Sequence, residues 1–198
     1  LSYWHDVKIK SITSPADDRD RDLLFHQKPY LPSESWSFYT TSIPAGYLCQ
    51  EDFWDVTAPI GNIEFWGLAL IYSGGWTAGN PNTLPFEVKF YEPGTTPGAV
   101  VATFTLPAMT PENTGLTYAG FTMYKWTYDI TPSVSLEDGW ISIQSTTAPD
   151  GAWLLWAGSP EGNFNALQNG ASLADNLAFN LSGTASPTPP VQKYIAPG

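Results

Sequence analysis

The feature that most limits what this chain can fold into is its punctuation. Eighteen prolines and seventeen glycines are spread along 198 residues. Proline fixes φ and removes a backbone donor, and glycine weakens a helix interior. Almost nowhere is there room for a helix of more than three turns. Short apolar runs between turn residues predict an all-β protein, a two-sheet antiparallel sandwich. The length suits one domain with a substantial core.

The pattern is clearest from Leu136 to Gly183. Gly139 marks the turn into Trp140-Ile-Ser-Ile143, a run of β-branched and aromatic types. Trp153-Leu-Leu-Trp156 follows after a loop. Leu173, Leu177, Phe179 and Leu181 then alternate with Ala174, Ala178, Asn180 and Ser182, the period of a strand with one buried face. These runs predict the last three strands of the sandwich, with Trp140, Ile141, Ile143, Leu177 and Phe179 in the core.

Upstream, residues 51–56 and 61–72 read as consecutive strands. The nearly continuous apolar run from Ile63 to Tyr72 suits a central strand. Residues 84–91 and 100–106 flank the turn Glu92-Pro-Gly-Thr-Thr-Pro-Gly98 and predict a hairpin. Residues 74–82 and 107–115 read as loops, and residues 118–130 as another strand.

The ends differ in character. Residues 1–12 alternate, with Leu1, Tyr3, Val7 and Ile9 on one face. A charged loop, Asp17 to Asp22, follows. After Gly183 comes a Pro-rich, extended stretch ending in a small apolar patch that contains Val191, Tyr194 and Ile195. The expected organisation is a connector strand and charged loop over 1–22, a β-sandwich over 23–183 and an extended tail over 184–198.

Charge and cysteine usage exclude several functions. The formal net charge is −11, with eight Lys plus Arg. Phosphate backbones call for a basic patch, so nucleic acid is not an expected partner. No stretch reaches the ~18 apolar residues of a membrane span. Cys49, the single cysteine, excludes an intrachain disulfide and a multi-thiolate zinc site. Among Tyr47, Leu48 and Phe53 it reads as a small buried hydrophobe. A start at Leu1 rather than Met fits an N-terminal segment removed by processing or left out of this sequence.

Few residues suggest chemistry. His5 and His26 are the only histidines, and neither a Gly-x-Ser-x-Gly elbow nor His-Glu-x-x-His occurs. Glu51, Asp52, Asp55 and Glu64 lie near Trp54 and Trp66, and a glycosidase needs two carboxyls across an aromatic cleft. Carboxylates on solvent faces of strands are the plainer reading. Asp18, Asp20 and Asp22 alternate as in a calcium loop, but the glycine and the twelfth-position Glu are missing and Arg19 and Arg21 oppose a dication. Calcium is the only cofactor these residues suggest, and a solvated turn explains them more simply. Trp36 and Trp76 are the aromatics least explained by core patterning, and so the candidates for stacking on sugar rings. Asn180-Leu-Ser182 is a glycosylation sequon, with Asn180 expected to alternate outward from Phe179.

Phe90-Tyr-Glu-Pro-Gly94 with Pro97-Gly98, Gly139-Trp-Ile-Ser-Ile143, Trp156 with Gly158, and Asp175-Asn-Leu-Ala-Phe-Asn-Leu-Ser-Gly183 together resemble a jelly-roll-like β-sandwich domain. That domain recurs in secreted and cell-surface bacterial and archaeal proteins of adhesin or multidomain type. The resemblance covers roughly residues 50–183 and implies fold and extracellular location. Strand 1–12 also looks like the first strand of immunoglobulin-like modules in such proteins. The expected function is a secreted, non-enzymatic subunit that assembles into a filament, its terminal strands completing a neighbour's sheet. The alternative is a carbohydrate-binding or adhesive module, and a glycoside-active enzyme is a third reading.

Overall fold

A computed structural model describes residues 21–184. Its strands are β1 (Leu23–Gln27), β2 (Phe38–Thr41), β3 (Cys49–Phe53), β4 (Ile60–Tyr72) and β5 (Trp76–Ala78). Next come β6 (Phe86–Tyr91), β7 (Val100–Leu106), β8 (Glu112–Tyr118), β9 (Phe121–Val134) and β10 (Gly139–Ser145). The last are β11 (Trp153–Ser159), β12 (Leu167–Gln168), β13 (Ala171–Ser172), β14 (Asn176–Leu177) and β15 (Phe179–Gly183). No α-helix occurs among the described residues. The protein is an all-β sandwich of two antiparallel sheets, one of nine strands and one of six.

β4 is the central strand of the larger sheet. Ile63 lies between Leu181 of β15 and Tyr128 of β9, and Gly67 between Trp156 of β11 and Tyr124 of β9. So β9 follows one edge, while β15 and then β11 share the other. β1 extends the sheet beyond β15, and β8 extends it beyond β9. The smaller sheet runs β13-β12-β3-β10-β6-β7. The expected hairpin is β6–β7, in register from Phe86↔Leu106 to Phe90↔Ala102.

The main core lies between the sheets. Phe65 stacks on Trp126 with centroids 5.6 Å apart, and Phe86 meets Phe65 edge-on at 5.0 Å. Ile141, Ile143, Leu177 and Phe179 are fully buried there. Trp140 is buried on the opposite face of its sheet, with Tyr91 and Leu167, and its Nε1 donates to the Gly94 carbonyl at 3.0 Å.

A second apolar cluster covers the other face of the nine-stranded sheet. It contains Leu68, Leu70, Tyr118, Met123, Leu155, Ala157 and Ala178. This corrects the half-buried reading of the last strand. β15 is buried on both faces, so its alternation separates two packed surfaces rather than core from water. Residues 107–115 are also not all loop, since β8 begins at Glu112. Asn113 and Gly115 look like turn residues, but a bulge between Asn113 and Thr117, with Gly115 at φ 74°, absorbs them within the strand.

Where β4 and β11 touch, the backbones are too close for a side chain. A Cβ on Gly67 would lie 2.5 Å from the Leu155 carbonyl oxygen and 2.7 Å from Leu154 Cδ1. Gly67→Ala is expected to cost roughly 1–3 kcal/mol, the usual cost of overpacking. Gly75→Ala, where a Cβ meets nothing within 4 Å, is expected to leave the urea midpoint unchanged. Equal midpoints for the two variants would contradict this close approach.

Candidate functional site

The β4–β5 hairpin and the start of β11 gather three aromatic residues at one end of the larger sheet. Register places Tyr72 opposite Trp76, and Leu70 opposite Trp153. Tyr72 and Trp153 therefore point to the same outer face, two residues apart across the strands. The Tyr72 and Trp76 centroids are 4.9 Å apart. Tyr72 is nearly parallel to Trp153 at 27°, whereas Trp76 stands at 80° to Trp153. The rings make a corner with two walls, not a flat platform.

The loop after β2 closes the corner into a cleft of about 390 Å³, lined by Thr40, Ala45, Tyr47, Tyr72, Trp76 and Trp153. Tyr72 is 52% exposed, Tyr47 42% and Trp76 39%. Large aromatics left this exposed on a chain with ample core are unspent apolar surface, and such patches mark binding sites. No charged side chain lines the cleft. Its polar side-chain groups are the Thr40 hydroxyl, the two tyrosine hydroxyls and the indole N–H groups of Trp76 and Trp153. Concave, mostly apolar lining with a few hydroxyls is the usual make-up of a small-molecule site.

The two tryptophans singled out from sequence part company. Trp76 is in the cleft. Trp36 packs edge-on against Phe38 and Tyr118 at 5.8 and 5.5 Å, over the second apolar cluster. Tyr47, Tyr72 and Trp153 were not legible as partners of Trp76. Tyr72 ends an apolar run and Trp153 begins one, and both read as core.

The sequence cluster of carboxylates disperses. Glu51 points into the core, fully buried, with Oε2 accepting from the Leu177 amide at 2.6 Å and Oε1 unpartnered. Burial pushes its carboxyl well above the ordinary range, and the neighbouring Asp52 charge adds to this against the pull of the Leu177 amide. Asp52 faces the other way and accepts from the Asn163 and Asn165 side chains at 2.8 and 3.0 Å. Asp55 sits in the turn after β3, at φ 57°, and its amide donates to Asp138. Glu64 belongs to the other sheet. It stands in a polar row that crosses β1, β15, β4, β9 and β8, from His26 through Asn180, Glu64 and Lys125 to Glu112.

That row corrects the orientation expected of Asn180. Its side chain is not turned out to solvent: the residue is 9% exposed. Oδ1 lies 2.7 Å from His26 Nδ1, and Nδ2, the atom a glycan would join, donates to Glu64 at 3.0 Å. Ala178 and Asn180 share a face that the second cluster and the polar row cover.

Cys49 is buried, and desolvation pushes its thiol up to about 12, which leaves it protonated. Tyr30 and Tyr39 both donate to Asp175, at 2.9 and 2.6 Å. Burial opposes ionisation of Asp175, but these bonds outweigh it and lower its pKa. The pair ties the Tyr30 loop to the loop before β14.

Asp22 is described and exposed, and its carbonyl accepts from the Gly183 amide. Asp18 and Asp20 lie outside the described residues, as do His5 and the proposed assembly residues Leu1, Tyr3, Val7, Ile9, Val191, Tyr194 and Ile195. Among the described residues no group of three or more His, Cys, Asp or Glu is placed to hold a metal ion. Among the described residues no helix is long and apolar enough to cross a membrane. Compared with protein-family models, curated proteins and solved structures, the chain matches none.

Proposed function

We propose that this β-sandwich is a secreted, non-enzymatic binding module that takes neutral carbohydrate through the Tyr47–Tyr72–Trp76–Trp153 cleft. The observation that carries the reading is one exposed aromatic corner with no charge in its lining, on a chain of net charge −11. Pyranose rings present flat C–H faces that stack on indole and phenol rings, while tyrosine and threonine hydroxyls meet sugar hydroxyls. An uncharged site suits neutral sugars better than uronic acids or sulfated chains.

The 80° angle between Trp76 and Trp153 favours a single glycan chain that can turn a ring to each wall. A flat crystalline polysaccharide face would need coplanar rings. The filament reading depends on terminal segments outside the described residues, whereas the binding module rests on a cleft within them.

Native electrophoresis through gels containing soluble neutral polysaccharides tests this. The wild-type protein is expected to be retarded by at least one of them. Trp76→Ala and Trp153→Ala are expected to weaken binding ten-fold or more, about 1.4 kcal/mol. Trp36→Ala is expected to leave it unchanged. Retardation that survives both cleft substitutions would place binding elsewhere.

A further inference from the structure

We infer that Asn169 is a positioning residue for the aromatic cleft: its side chain clamps the loop that carries Tyr47 and so fixes where the Tyr47 wall stands. The inference rests on the reading of that cleft as a sugar site.

Three of the four rings hold one another. Tyr72, Trp76 and Trp153 stand on β4 and its partners β5 and β11, in the larger sheet, with centroids 4.9, 6.3 and 5.9 Å apart. Tyr47 comes from elsewhere. Residues 42–48 carry the chain from β2 in the larger sheet to β3 in the smaller one. A ring as exposed as Tyr47 is placed by its backbone more than by packing.

One side chain holds that backbone on both sides of Tyr47. Asn169 Oδ1 accepts from the Leu48 amide at 2.8 Å, and Nδ2 donates to the Gly46 carbonyl at 3.2 Å. The Asn169 amide also donates to the Leu48 carbonyl at 2.9 Å. Gln144 of β10 adds a bond from Nε2 to the Tyr47 carbonyl at 2.7 Å. These anchors all belong to the smaller sheet, so the cleft has walls tied to both sheets.

The turn itself does not demand asparagine. Asn169-Gly170 is the two-residue connection from β12 to β13, with φ at 50° and 80°. Glycine serves the first position of such a turn as well. What asparagine adds is an amide, which supplies the acceptor and the donor that the Leu48 N–H and the Gly46 C=O require. A loop held in this way is ordered before a ligand arrives, and preorganisation of this kind strengthens binding.

The test uses the full chain, a neutral polysaccharide that retards the wild type in gels, and amide hydrogen exchange followed by NMR. Asn169→Gly keeps the turn and removes only the side-chain clamp. It is expected to keep the wild-type circular dichroism spectrum and to lose protection of the Leu48 amide. Binding should weaken roughly three- to ten-fold, the effect of having to order a side chain and its loop on binding. In a Tyr47→Ala background the same substitution should change affinity no further, because Asn169 acts through Tyr47. A general loosening of the fold would weaken both backgrounds alike. Wild-type affinity in Asn169→Gly, an unaltered Leu48 amide, or an equal loss in the Tyr47→Ala background overturns the clamp and leaves the cleft in place. A wild type that no neutral polysaccharide retards, or retardation that survives Trp76→Ala, overturns the sugar reading and the role of Asn169 with it.

Discussion

Trp156→Ala is expected to remove about 4–5 kcal/mol of folding stability, the upper part of the range for emptying a buried tryptophan site. Trp156 is fully buried on the inner face of β11, and its ring meets Phe179 edge-on at 6.2 Å. Its Nε1 donates to the Ala178 carbonyl at 2.8 Å. Alanine would leave a cavity and also strand that carbonyl. The carbonyl sits where the chain passes from β14 to β15, so the loss would be felt in both strands. Trp140→Ala should cost somewhat less, about 3 kcal/mol, because its site lies under the Gly94 turn, which can collapse. Urea denaturation followed by circular dichroism gives both values. Two unchanged midpoints would mean that neither ring is packed as described.

Glu51→Gln is expected to stabilise the protein at neutral pH, because glutamine has no proton to lose and so escapes the cost of holding a buried carboxyl protonated where the unfolded chain would ionise it. Glu51 lies among Cys49, Phe53 and Ile141, with one oxygen on the Leu177 amide and the other unpartnered. The folded protein therefore holds the Glu51 proton more tightly than the unfolded chain does. Below the ordinary glutamate value, ~4.3, both states are protonated and the group costs nothing. As pH rises above that value the unfolded chain releases the proton and gains relative to the folded one, so stability falls. Asp175 and Glu161, with lowered pKa values, act in the opposite sense, and their contribution is lost on acidification. The difference between variant and wild type isolates Glu51. It should be near zero at acidic pH and grow as pH rises. A constant difference, or a variant less stable at neutral pH, would contradict a protonated Glu51.

Much of the sandwich is legible in single residues. Phe86, Val88 and Phe90 alternate against Glu87 and Lys89, and they are buried as that period requires. The same period places Cys49, Glu51 and Phe53 on one face, a readable sign that Glu51 goes inward. Reading it as a solvent carboxylate gave residue type more weight than strand phase. What alternation does not carry is a second covered face. Asn180 and Ser182 alternate with Phe179 and Leu181 as surface residues would, yet the polar row and the second cluster bury them. The aromatic cleft is illegible for a related reason. Tyr72 and Trp153 are far apart in sequence and meet only because β11 docks on β4 in one register. Trp36 and Trp76 are equally exposed at 39%, so only the ring contacts tell them apart.

In the proposed function, Tyr47, Tyr72, Trp76 and Trp153 form the surface that contacts neutral sugar. Two-dimensional nitrogen–proton NMR tests it most directly, because every indole N–H gives its own signal. Titration with the neutral glycan that retards the protein in gels should shift the Trp76 and Trp153 indole signals in step with one binding curve. The Trp126, Trp140 and Trp156 signals, from buried rings, should stay in place. Shifts confined to Trp36, or a full set of neutral glycans that moves no indole signal, would contradict the account.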